Sequence, residues 1–240
     1  MRVLLLDLDD TLLENSMSRF IPAYFEALCG ALSPWAPPER LIAELLAGTR
    51  AMDAGDGVGA TNAEAFAAVF YPRLGVPRAE LEPQILRFYE ERFPSLRDLT
   101  RPVDGARDLV AWCRERGVRM VVATNPLFPR PAIEERVRWA GFDPTDGTFD
   151  LITCAEDMHA TKASPAYYRE ILDRVGASPD ACLMVGDDWG WDVVQAGRVG
   201  IRSWWVASPR AVPPDTGGLT VGQGDLRAFH GWLAKHLEQR

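Results

Sequence analysis

The chain has 240 residues, with 26 Lys and Arg against 34 Asp and Glu, a formal net charge of −8 and a pI near 5.0. So acidic a chain offers no general hold on a polyanionic backbone or an anionic lipid surface, so neither nucleic acid nor membrane is an expected partner. Its 47% hydrophobic and 25% charged residues are ordinary for a folded globular protein, and its length suits one large domain or a domain carrying an insertion.

In chain order, the first element is the apolar run 3–6, which Asp7 closes too early for a signal peptide or a membrane span. From 14 to 100 no strand run appears. Apolar spacing predicts helices over about 21–28, 39–47, 62–71 and 78–88, and Thr61 with Glu64 three residues on has the spacing of a capping box. The Gly-rich stretch 53–59 reads as a mobile loop. It follows no strand, does not match G-x-G-x-x-G, and carries Asp53 and Asp56, which would repel phosphates. Beyond it, residues 105–116 read as a helix stopped by Gly117, and apolar runs return at 118–123, 149–152, 182–185 and 201–206. Ser164 and Pro165 form a helix start that Gly176 closes. The Pro- and Gly-rich segment 209–224 reads as a loop before a short last helix.

Apolar runs without polar alternation suit parallel strands covered on both faces, and their alternation with helices predicts a doubly wound, Rossmann-like α/β core. The expected division is a core of residues 1–13 and 101–240 and an inserted all-helical domain of residues 14–100. The four cysteines are widely spaced without a C-x-x-C pair, which predicts reduced thiols in a cytoplasmic protein, monomeric or homodimeric.

Chemistry-bearing residues collect after the predicted strands. Asp7 and Asp9, two apart, follow the first; Thr124 and Asn125 follow the second; Lys162 follows the third; Asp187, Asp188 and Asp192 follow the fourth. Separately each is an ordinary loop residue, but a parallel sheet gathers all four groups at its C-terminal edge, where open α/β sheets bind ligands. Asp7, Asp9 and Asp187 make a hard oxygen site suited to Mg²⁺, and Thr124, Asn125 and Lys162 offer donors and positive charge to an anion, a combination that fits phosphoryl transfer. Lys162 also stands out by composition: 24 of the 26 basic residues are Arg, and only Lys162 and Lys235 are Lys. A compact ammonium suits a tight anion site that a guanidinium does not.

The elements D-x-D-x-T at Asp7–Thr11, Thr124, Lys162 and G-D-D-x-x-x-D at 186–192 together resemble the four motifs of the haloacid dehalogenase-like superfamily, with the helical insertion similar to its C1-type cap. Ala163 and Asp188 depart from that pattern, without removing a group the chemistry needs. The resemblance implies Asp7 as the nucleophile that forms an aspartyl-phosphate and Asp9 as general acid and base. It implies Mg²⁺ on the Asp7 carboxylate, the Asp9 backbone carbonyl and Asp187, with Asp188 and Asp192 standing behind them and Asp192 also steadying Lys162. Thr11, Thr124, Asn125 and Lys162 would bind the phosphoryl group, and Trp189 and Trp191 would be packing or loop anchors.

The expected activity is Mg²⁺-dependent hydrolysis of a small phosphorylated metabolite. A dehalogenase would not need Asp9. A signalling receiver would be about half this length and would carry its phosphorylated Asp after the third strand, where this chain has Ile152-Thr153-Cys154. A mutase, or a silent phosphate-binding protein of the same fold, is the remaining alternative. The insertion contains neither Lys nor His, which argues against imine-forming phosphonate cleavage; Arg50, beside the Gly-rich loop, is its candidate contact to a second anionic or polar group of the substrate.

Overall fold

Strand β1 (Val3–Leu6) is wholly buried, and its alternation divides the interior in two. Leu4 and Leu6 pack with Leu109, Val122 and Ile133 on one face, and Val3 and Leu5 with Tyr167, Ile171 and Met184 on the other. Burying each such side chain stabilises the fold by about 1.5–3 kcal/mol, so β1 is anchored from both sides. The computed structural model describes residues 2–208, 210–214 and 218–238.

Around β1 the chain builds a six-stranded sheet in the order β5-β4-β1-β6-β7-β8, in which every pairing is parallel. The strands are β4 (Arg119–Val122), β5 (Leu151–Ile152), β6 (Cys182–Gly186), β7 (Arg202–Val206) and β8 (Thr220–Gly224). After β1 the chain winds outward through β4 and β5, then crosses to β6 on the other side, so β1 is the switch point of a doubly wound sheet. Helices α5 (Ala106–Glu115), α6 (Arg130–Trp139), α7 (Pro165–Val175) and α8 (Leu226–Glu238) belong to this core. The Ser164 hydroxyl accepts from the Ala166 N–H at 3.2 Å, and Gly176 ends α7 in the left-handed region at φ 61°.

Between β1 and the core helices lies the predicted helical insertion: α1 (Met17–Leu32), α2 (Pro38–Asp53), α3 (Asn62–Leu74) and α4 (Arg78–Glu91). Two short antiparallel strands, β2 (Leu13–Glu14) and β3 (Arg101–Pro102), join where the chain leaves and re-enters the core. The Thr61 cap is present, its hydroxyl accepting from the Glu64 N–H. The Gly-rich stretch, expected to be a mobile loop, is seated on the core. A Cβ on Gly55 would lie 2.6 Å from the His159 carbonyl oxygen and one on Gly57 2.9 Å from the Ala166 Cβ.

Helix α6 and strand β8 are among the elements that went unread in the sequence. Helix α6 starts inside Pro129-Arg130-Pro131, which resembles a break but places prolines at the N-cap and first turn, where they need no N–H donor. Strand β8 lies in the segment expected to be a loop. It pairs through its backbone with β7, and Gly222 leaves room for the Trp204 ring, which a Cβ there would meet at 2.5 Å. Among the described residues no helix is long and apolar enough to cross a membrane, and all four cysteines are unbridged and buried.

Candidate active site

Parallel register fixes the depth of the site. Leu6 pairs with Val122 of β4 and Val185 of β6, and the Asp7 N–H donates to the Val185 carbonyl at 2.9 Å. Asp7 therefore leaves the sheet level with Ala123 and Gly186, with Thr124 and Asp187 one residue further on either side. The reach across the chain predicted from strand ends is realised by three adjacent strands.

Lys162 is the centre of the charge network. Its Nζ donates to Asp7 Oδ1 at 2.6 Å and to Asp192 Oδ1 at 2.7 Å, and only 2% of the residue is exposed. Burial alone would lower its pKa, but the facing Asp192 and Asp7 carboxylates overcome that and hold the ammonium above its ordinary value. Carboxylate oxygens of Asp7, Asp187 and Asp192 lie within 4.8 Å of one another, a spacing at which they could hold a metal ion. Burial, followed by the charges of Asp7 and Asp192, pushes Asp187 far above the usual carboxylate range. Asp192 is raised as well, by burial against the opposing pull of Lys162.

Asp192 was expected to steady Lys162 and stand behind the metal ligands; it accepts from Lys162 Nζ, and its carboxylate also lies within 4.8 Å of those of Asp7 and Asp187. The cause is local. Asp188 caps a wide helical turn over Trp189–Gln195, its Oδ1 accepting from the Trp191 N–H at 2.7 Å, and this turn carries Asp192 back over the strand end. There Asp192 Oδ2 accepts from the Asp188 N–H at 3.1 Å. The space it occupies exists because residue 186 is glycine: a Cβ there would sit 2.2 Å from Asp192 Oδ2. Asp188 itself is exposed and serves as the cap.

The Asp9 carboxylate does not join the three. One oxygen accepts from Asn15 Nδ2 at 2.9 Å and the other forms an ion pair with Arg136 of α6. Thr124 is buried, and its carbonyl accepts from the Thr153 and Tyr167 hydroxyls, each at 2.8 Å. Asn125 Oδ1 accepts from the Lys162 backbone N–H at 3.1 Å, tying the second strand's loop to the third's. Thr11 is fully buried with its hydroxyl unpartnered. Trp189 packs edge-on against Trp205, as an anchor would, whereas Trp191 is 42% exposed.

Sequence reasoning missed Arg136, Asn15 and Tyr168, whose hydroxyl donates to the Trp191 carbonyl at 2.9 Å beside Asp192. A signal for Arg136 existed: it lies three residues after Ile133 and four after Ala132, on the apolar stripe of a helix whose presence went unread.

The insertion meets the core beside this edge. Thr161 donates to Asp53 Oδ1 at 2.8 Å, and Asn62 Nδ2 donates to the Ala160 carbonyl at 3.1 Å. A cavity of about 330 Å³ opens among α1–α4 and the core segments 127–129 and 155–156. Tyr24, Phe66, Tyr89 and Phe128 give it aromatic walls, with Arg78 and Glu82 among its few charged groups. Arg50 is exposed on the last turn of α2 and does not line this cavity.

The sheet is a doubly wound, Rossmann-like α/β fold with an acidic cluster at its C-terminal edge, and a family model for haloacid dehalogenase-like hydrolases matches residues 1–200. The chain belongs to that family. Human haloacid dehalogenase-like hydrolase domain-containing protein 3 is 30% identical over 112 residues, covering 47% of this chain and 42% of the relative. Hexitol phosphatase B of Escherichia coli is 30% identical over 142 residues, 58% of this chain and 59% of the relative. Phosphoglycolate phosphatase of Pseudomonas putida is 26% identical over 129 residues, 51% of this chain and 43% of the relative. The chain thus spans about half the length of the curated relatives it matches. Among solved structures, a 2-haloacid dehalogenase of Pseudomonas syringae superposes with a TM-score of 0.68 at 20% identity, over 98% of this chain and 99% of that one. A HAD phosphatase of Thermococcus onnurineus does so with 0.61 at 19%, over 97% and 98%. At such identities these two bear on the fold alone.

Proposed function

We propose that this hydrolase is a Mg²⁺-dependent phosphatase that cleaves a small phosphomonoester through an aspartyl-phosphate on Asp7. The observation that carries the reading is the meeting of Asp7, Asp187 and Asp192 within 4.8 Å around a single buried ammonium, Lys162. Three carboxylates against one cation leave two negative charges uncompensated in a partly buried site, and all the donors are hard oxygens. That set fits Mg²⁺. Asp7, Asp187 and Asp192 would hold the ion, with the Asp9 backbone carbonyl as a further oxygen; when bound it would offset the charge of the carboxylates and of the phosphoryl oxygens.

The chain's own groups divide the remaining work. The Asp7 carboxylate, fixed by Lys162, attacks phosphorus as the bond to the leaving oxygen breaks, and Asp9 gives that oxygen its proton. In the second half Asp9 takes a proton from water, whose oxygen attacks phosphorus, releasing inorganic phosphate and freeing Asp7. Lys162 and the amide of Asn125, whose Oδ1 is already engaged, supply donors to the phosphoryl oxygens. Asp9 separates this reading from dehalogenation, which needs no acid two residues beyond the nucleophile. The insertion, taken as a cap over residues 14–100, closes the site from water. Hydrolysis of p-nitrophenyl phosphate with Mg²⁺, its loss on exhaustive chelation and its return on adding Mg²⁺ are the expected results. Full activity after chelation, or none with Mg²⁺ on a panel of phosphomonoesters, refutes the proposal.

A further inference from the structure

Arg136 is a cation in a place that disfavours cations. It is 1% exposed, on the face of α6 that also buries Ala132, Ile133 and Val137. Burial lowers its pKa to about 10. The guanidinium lies 5.1 Å from the Phe128 ring centre and 5.9 Å from that of Phe20, and its Nε is buried without a hydrogen-bond partner. Removing a charge from water costs several kcal/mol, and an apolar side chain of similar volume would fill such a position at no loss of stability. Packing therefore does not account for an arginine here. Among the described residues its one ion pair is with Asp9.

The other Asp9 oxygen is taken by Asn15, itself fully buried. Asn15 is held in turn by its N–H donating to Asp10 Oδ1 at 2.8 Å, and Asp10 takes the left-handed region at φ 52°, the one non-glycine residue among those described to do so. The turn after β1 is thus bent so that Asn15 and Arg136 fix both Asp9 oxygens, one from the turn and one from α6.

We propose that Arg136 is a positioning residue for Asp9, aiming its protonated carboxyl group at the leaving oxygen in the first half-reaction and its carboxylate at water in the second. This rests on the reading of Asp9 as the proton donor. A proton donor matters little when the leaving oxygen is a stable phenolate and much when it is an alkoxide. Loss of aim must therefore be felt in proportion to the basicity of the leaving group, an effect that a merely structural arginine would not produce.

The test compares p-nitrophenyl, phenyl and benzyl phosphates with Mg²⁺ for the wild type, Asp9→Asn, Arg136→Met and Arg136→Lys. General acid catalysis contributes about 10²–10⁴-fold, so Arg136→Met is expected to lose about 100-fold in kcat/KM on benzyl phosphate and about 3-fold on p-nitrophenyl phosphate. Arg136→Lys, which retains the buried charge and serves if Arg136→Met does not fold, recovers part of the benzyl phosphate loss or, taken alone, is skewed in the same direction. Arg136→Met should change nothing further in the Asp9→Asn background, where both members of the ion pair are removed together. Equal losses on all three esters for the Arg136 variants, with Asp9→Asn skewed as expected, overturn the role of Arg136 and leave that of Asp9 standing. Equal losses for Asp9→Asn as well overturn the reading of Asp9, and the proposal with it.

Discussion

Asp187→Asn sets stability against function. Asp187 faces two carboxylates, Asp7 and Asp192, and one ammonium, Lys162. At 4.8 Å and an effective dielectric of 20, each like-charge pair costs about 3.5 kcal/mol. Lys162, whose pull on Asp187 is weaker than either repulsion, offsets only part of this, which leaves a net penalty of at least about 3.5 kcal/mol for the ionised Asp187 in the metal-free protein. Asparagine keeps the shape and removes the charge. In EDTA at pH 8.5 the variant should melt about 10 °C above the wild type, at about 2–4 °C per kcal/mol for a chain of this size. The pH dependence has a definite sign. Asp187 is raised from 3.8 to about 8 in the folded protein, so between those values the native state holds a proton that the unfolded chain has lost. Wild-type stability then falls as pH climbs through that window, and the gap between the two proteins opens over the same range. Added Mg²⁺ should reverse the order, stabilising the wild type and leaving Asp187→Asn nearly unchanged and inactive. Thermal melts at several pH values, with EDTA and with Mg²⁺, make the measurement. A variant that melts below the wild type in EDTA at pH 8.5, or gains as much from Mg²⁺, refutes the charge argument.

Asp7→Asn should abolish phosphatase turnover with an unshifted circular dichroism spectrum, because an amide does not attack phosphorus at a useful rate; activity within tenfold of wild type would remove Asp7 from its role. Lys162→Arg should cost about 10²–10³-fold in kcat, since the buried site is shaped to an ammonium 2.6 and 2.7 Å from two carboxylates. The exposed Lys235→Arg should be silent, and equal mild effects at both positions would remove the argument that the site needs an ammonium at Lys162. Gly186→Ala places a methyl group where Asp192 Oδ2 now lies, and should lower stability by about 1–3 kcal/mol while weakening the response of the melting temperature to Mg²⁺. An unchanged Mg²⁺ titration in that variant would separate Asp192 from the metal site.

The sequence alone determined what depends on neighbours along the chain. Apolar runs that close on Asp7, Thr124 and Gly186 must be buried strands, and a parallel sheet has one edge at which such residues can meet, so Asp7, Thr124, Lys162 and Asp187 could be placed together from spacing. The same local rules located α1–α4, the Thr61 cap and the Ser164 start of α7. Tertiary structure decided what depends on distance in space. Whether Asp192 stands behind the acidic pair or within it turns on a wide helical turn and on the missing Cβ of Gly186. Strand β8 has no apolar run to announce it, because its order comes from backbone pairing with β7. Arg136 lies 127 residues from Asp9; its place on the apolar stripe of α6 marks it for burial, but nothing in the local sequence names its partner. Its partner is set only when α6 packs against the core and the turn after β1, since pairing between distant charges leaves no periodic trace in the chain.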